Sequence, residues 1–158
     1  MLERLQSFFQ TLTHNRERKA LAPDDPRIAV AALCFQVMEA DGSVHKAERD
    51  KLRQLLNEQY GLEGAQLEEL IDAGQKAESE AVDYYRFTSD LKRHLNEAER
   101  QQFVGILWDI VYADGARSEM EDHVIWRIAD LLGVSARDRV IERRDAVTRA
   151  GLETDSDA

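Results

Sequence analysis

Apolar residues recur at three- and four-residue spacing along nearly the whole chain, and no convincing run of strict alternation interrupts them. That period predicts an all-α, single-domain bundle of about seven to eight helices. Leu2, Leu5, Phe8, Phe9 and Leu12 lay one stripe along a first helix, which "PDDPR" ends. Asp25 is placed to cap the next helix and Pro26 to open it, with a run to about residue 41. Further helices are expected over about 46–60, where "YGLEG" supplies the stop, then 63–77 and 82–95. The join "KAESEA" is weakly marked, so the last two also fit one bent helix. Asn96 with Glu99 forms a cap and third-position pair that opens a helix to about residue 114. Ser118 with Glu121 repeats that logic for a helix that Gly133 ends, and Ser135 with Asp138 starts the last, to about residue 149. Residues 1–22 thus read as an amphipathic helix and linker, 23–150 as the helical domain, and 151–158 as an acidic tail expected to be disordered.

Two segments break the amphipathic pattern. "IAVAALCFQVM" (28–38) carries one clearly polar residue, Gln36, and "FVGILWDIVY" (103–112) carries one, Asp109, apart from a tyrosine hydroxyl. Helices apolar nearly all round lie in the middle of a domain. Both run into Ala-Asp-Gly, and each time a glutamate follows seven residues after the aspartate.

The two aspartates, Asp41 and Asp114, lie 114 − 41 = 73 residues apart, and the same offset aligns their surroundings without a gap. Val30 meets Phe103, Phe35 meets Trp108, Met38 meets Val111, and Leu52 meets Ile125. The simplest account is a duplicated helix–turn–helix unit packed about a pseudo-two-fold axis. Gly42 and Gly115 stop a helix by taking the left-handed conformation that glycine adopts cheaply. Glu121 reaches back as a capping-box partner of Ser118, and Glu48 stands three residues after His45 in the same way. Capping therefore accounts for the glycines and glutamates. The aspartates fall in the last helical turn, where the macrodipole disfavours a negative charge by about 0.3–1 kcal/mol. Either each aspartate bonds amides of its own turn, or carboxylate and free helix-end carbonyls together make an oxygen site for a hard cation.

A complete EF-hand is rejected. With Asp41 at its fifth loop position, the first would be Val37, and Ile110 in the second copy. One half-loop is poor in ligands, but two brought together would offer four carboxylates: Asp41, Glu48, Asp114 and Glu121.

Charge narrows the partners. Thirty-one acidic against 21 basic residues give a net charge of −10, which argues against nucleic acid, whose binding depends on Lys and Arg neutralising phosphates. The one cysteine, Cys34, sits in an apolar run and reads as a buried hydrophobe, and a lone cysteine forms no intrachain disulfide. No apolar stretch reaches membrane-spanning length, and the N-terminus lacks the pattern of a secretion signal, so the cytoplasm is the expected location. For the first helix, docking on the protein's own core or on a partner outranks lying on a membrane surface.

"MEADGSVHKAERDKLRQLL" and "VYADGARSEMEDHVIWRIADLLGV", joined through "LNEAERQQFVGILWDI", resemble the tellurite-resistance TerB family over about residues 25 to 135. Its pattern is two A-D-G-x-x-[ST]-x-x-E units at helix–helix turns. The resemblance implies an all-helical, pseudo-symmetric domain with an acidic cluster for a divalent cation, calcium, magnesium or manganese, on Asp41, Glu48, Asp114 and Glu121. It also implies a link to tellurite resistance and bacterial stress responses. His45 departs from the pattern where Ser or Thr is expected, while Ser118 fits.

Two non-enzymatic readings follow: a cation-binding module, or a protein-interaction module, with a partner still to be identified, whose acidic turns are structural caps. Catalysis ranks below both, because no nucleophile elbow, phosphate loop, H-E-x-x-H or E-x-x-H pair is present. His14, His45, His94 and His123 are expected on the surface. Arg137, Arg139, Arg143, Arg144 and Arg149, interleaved with acids, read as a solvated face.

Overall fold

A computed structural model describes residues 25–40, 42, 44–81, 85–114 and 119–151. The expected amphipathic helix within 1–22 and nearly all of the acidic tail lie outside these residues. Seven α-helices and one 3-10 turn make up the described fold: α1 Pro26–Met38, α2 Lys46–Tyr60, α3 Gly64–Glu80, α4 Tyr85–His94, α5 Glu97–Val111, the 3-10 turn Tyr112–Asp114, α6 Glu119–Leu131 and α7 Ala136–Arg149. No strand occurs among the described residues.

The caps form where the residue types demand them. Asp25 Oδ1 accepts from the Arg27 amide at 2.9 Å, and Pro26 occupies the first helical position, where no amide is needed. Asn96 and Glu99 close a reciprocal box: the Asn96 amide donates to Glu99 Oε1 at 2.8 Å, and the Glu99 amide to Asn96 Oδ1 at 2.9 Å. Ser135 accepts from the Asp138 amide at 3.2 Å. Gly61 ends α2 at φ +70°. Ala81 turns extended after α3, so α3 and α4 are two helices rather than one bent one.

α1 and α5 form the centre. Every residue of α1 is buried, and so is α5 from Gln102 to Trp108. α1 packs chiefly on α3, and Gly74 is what lets them approach: a Cβ there would overlap Ala31 Cβ and lie 3.1 Å from its carbonyl carbon. α5 packs chiefly on α7. α2 crosses to α5, and α6 crosses to α1.

Two expectations change here. α1 ends at Met38 rather than near residue 41, because its last turn tightens: the Ala40 amide reaches Val37 O at 3.2 Å and the Gly42 amide reaches Glu39 O at 2.9 Å. α5 likewise passes into the 3-10 turn at Tyr112. The acidic motif positions therefore follow the α-helices instead of closing them. The arginines of α7 are also more than a solvated face. Arg143 Nε donates to Tyr112 Oη at 3.1 Å while its guanidinium covers the Trp108 ring, and Arg149 Nε donates to Asp109 Oδ1 at 3.0 Å. Arg139 donates to Val134 O at 2.8 Å and stacks on Trp126. Three of the five arginines thus fix α7 to its neighbours.

Candidate functional site

The site predicted from sequence divides into two glutamates that the structure places and two aspartates that lie outside what it describes. Asp41 falls outside the described residues. Asp114 closes the 3-10 turn, but its side chain is outside them too, so the separation of the two aspartate carboxylates is not part of the described geometry. Glu48 stands in the first turn of α2 and is 1% exposed, and Glu121 stands in the first turn of α6 and is 3% exposed.

A carboxylate taken from water needs compensation. For Glu48 one source is the His45 amide, which donates to Oε1 at 3.3 Å. The position near the positive end of the α2 dipole is a second. Gly42 takes the expected positive φ, +94°, but lies beyond the end of α1 at Met38, so it shapes the turn ahead of α2 rather than stopping a helix.

The fold sets the helix that closes the first motif copy beside the turn that opens the second. The first turns of α2, which carry Glu48, pack against the 3-10 turn that leads to Asp114, with Ala47 and Asp50 facing Tyr112 and Ala113 across a shared cleft. Among the described residues, however, no group of three His, Cys, Asp or Glu side chains converges as a metal would require. His45, His94 and His123 are exposed, as expected.

Three acidic contacts near the turns were not singled out from sequence. Glu39, just beyond α1, meets Glu78 near the end of α3. Burial, then the Glu39 charge and a hydrogen bond between the two carboxyls, pushes Glu78 up to about 7. Asp109 is held by Arg149 at 2.9 Å on α7, and burial raises its pKa, with Arg149 and Lys51 pulling against that rise. Glu142, 6% exposed, accepts from Gln101 Nε2 at 2.9 Å and lies in the space left by Gly105. Burial raises its pKa as well, partly offset by the Gln101 bond. Asp109 did carry a signal, as the one charge in an apolar helix. Glu39 and Glu78 carried none, because their meeting depends on how α1 and α3 pack.

A family model described as tellurite resistance protein TerB matches residues 27–144. The chain belongs to the TerB family. That match covers α1 from its second residue, all of α2 through α6 and the greater part of α7, so both acidic turns lie inside the TerB domain. Comparison with curated proteins and with solved structures gave no match. Among the described residues, no helix is long and apolar enough to cross a membrane.

Proposed function

We propose that this TerB-family domain is a non-enzymatic module that binds a divalent cation of the calcium, magnesium or manganese type at its paired acidic turns. The observation that carries the reading is the packing of the first turns of α2 against the 3-10 turn, which sets one motif copy beside the other. Asp41, Glu48, Asp114 and Glu121 form an all-oxygen donor set, which suits a hard cation. Supporting the duplication behind this pairing, the packing order repeats: α1 takes α3 as α5 takes α7, and α2 crosses to α5 as α6 crosses to α1. Calorimetric titration with calcium, magnesium, manganese and zinc tests the proposal. Saturable heat with a hard cation, lost in Asp41→Asn/Asp114→Asn, is the expected result. Absence of heat at millimolar metal, or equal heat from the double variant, would defeat it.

A second reading has its own support. Glu99 is 8% exposed in a capping box that has no Ala-Asp-Gly before it. Burial of a third-position glutamate therefore occurs in this protein through capping alone, and Glu48 and Glu121 fit the same account. In that reading the turns are structural and the module works by docking a protein partner. Pulldown from native extract with the full chain, compared with a chain lacking residues 1–20, separates the two. A partner retained by the full chain and indifferent to chelator favours docking.

A further inference from the structure

Between α2, α5 and the end of α7 lies a cleft of about 450 Å³, within the size range of small-ligand sites. Lys51 and Gln54 enter from α2, Asp109 and Tyr112 from α5 and its 3-10 turn, and Arg149 from α7. Its charges are unevenly matched. Asp50 is bound by Lys46 at 2.9 Å, and Asp109 by Arg149 at 2.9 Å. Lys51 lines the same cleft, attracts Asp109 through its charge, and keeps its own hydrogen-bond donors uncommitted among the described residues. The Arg149 guanidinium spends Nε and Nη2 on Asp109, which leaves the Nη1 donors for another acceptor. Ala47, in the first turn of α2, adds the positive end of a helix dipole to one wall. The carbonyl end of α7 at Ala150 has the opposite sign, and Arg149 stands beside it.

A metal ion does not suit the cleft itself, whose described lining holds neither Glu48 nor Glu121. The Asp50 and Asp109 carboxylates each already hold a basic side chain, and the Lys51 ammonium beside them repels a cation. An anion gains from Lys51 and from the open edge of Arg149, in a protein whose net charge of −10 otherwise disfavours anions.

We propose that the cleft binds a small molecule bearing two or more acidic oxygens, phosphoryl or carboxylate, with Lys51 as the principal anchor and Arg149 as the second. Occupancy would tie α2, the 3-10 turn and α7 together, next to the second acidic turn. The inference stands apart from cation binding, because it is tested in chelator.

The test is an amide-resolved NMR titration of the full chain in excess EDTA, with inorganic phosphate in one arm and citrate in the other. Sodium chloride at matched ionic strength is the reference. Saturable shifts confined to residues 47–51, 112–113 and 149–150 support the site. Saturation by phosphate alone assigns it to phosphoryl groups, and by citrate alone to carboxylates. Lys51→Ala should weaken binding by about tenfold, the loss of roughly one charge-assisted bond, while Lys51→Arg retains it. Lys51 makes no hydrogen bond or ion pair among the described residues and acts on Asp109 only through its charge, so the variant's circular dichroism should match the parent. Shifts that only follow sodium chloride, or unchanged affinity in Lys51→Ala, overturn the proposal.

Discussion

Glu48 and Glu99 occupy the same helical position by two sequence routes, and exchanging them for glutamine separates their roles. Glutamine keeps an oxygen acceptor for the amide three residues back but carries no charge. Glu99→Gln should therefore cost about 0.5–1 kcal/mol in urea unfolding. Glu48→Gln should cost a similar amount and also abolish saturable heat with divalent cation; equal metal affinity in that variant would confine Glu48 to capping. Gln102 tests burial from the other side. It is 5% exposed, and neither its amide oxygen nor its nitrogen meets a partner among the described residues. An unmade buried hydrogen bond costs about 1–3 kcal/mol, so Gln102→Met should raise the urea midpoint, and a lowered one would show that the amide is satisfied. Residue types announced the caps at Asp25, Asn96 and Ser135, because a cap is chemistry confined to a few consecutive residues. They did not announce the Glu39–Glu78 meeting, which joins two helices far apart in the chain.

At the scale of elements, two glycines set two helix–helix distances, and they should respond differently to alanine. At Gly74 the new methyl meets Ala31 and its backbone on α1, and backbone cannot step aside. At Gly105 it meets the end of the Glu142 side chain, which can swing. Gly74→Ala should lose about 1–3 kcal/mol, despite the roughly 1 kcal/mol that alanine gains as a helix former. Gly105→Ala should lose less, and should bring the Glu142 carboxyl back toward an ordinary value as it leaves its buried niche. Urea denaturation of both variants, with carboxyl titration by NMR for the second, checks this pair. Hydrophobic period placed every described helix to within a few residues, since burial of one face is written at each position. Where α1 stops was set instead by the tightening of its last turn onto Val37 and Glu39, which the residue pattern alone does not encode. The arginines of α7 were misread as a solvated face for a related reason. A basic residue among acids looks the same whether its head reaches water or a tryptophan ring on another helix.

For the whole molecule, pH should act through carboxyls whose folded pKa is raised. Glu78 binds its proton more readily when folded, at about 7 against 4.5 for an ordinary glutamate. The folded state therefore holds more protons than the unfolded one between those values, and stability falls as pH climbs through that window. Asp109 and Glu142 are shifted in the same direction and add to the trend. Urea midpoints should be lower at about pH 8 than at about pH 5.5, and Glu78→Gln should shrink the difference; an unchanged difference would remove Glu78 as its source. Cys34 reports on the same global unfolding. It is 1% exposed, and burial pushes its thiol up to about 12, so labelling by a disulfide reagent should proceed only as fast as the fold opens.

The contacts that seal α5 come late in the chain. Tyr112 waits for Arg143, Asp109 for Arg149 and Gln101 for Glu142, partners 31 to 41 residues downstream. During synthesis from the N-terminus, α5 emerges before the helix that covers Trp108 exists. The nascent chain must therefore carry the α7-facing side of one of its most apolar segments uncovered until translation reaches α7. A ribosome stalled within α6 would hold a chain prone to capture by a chaperone, and release would come with the last helix.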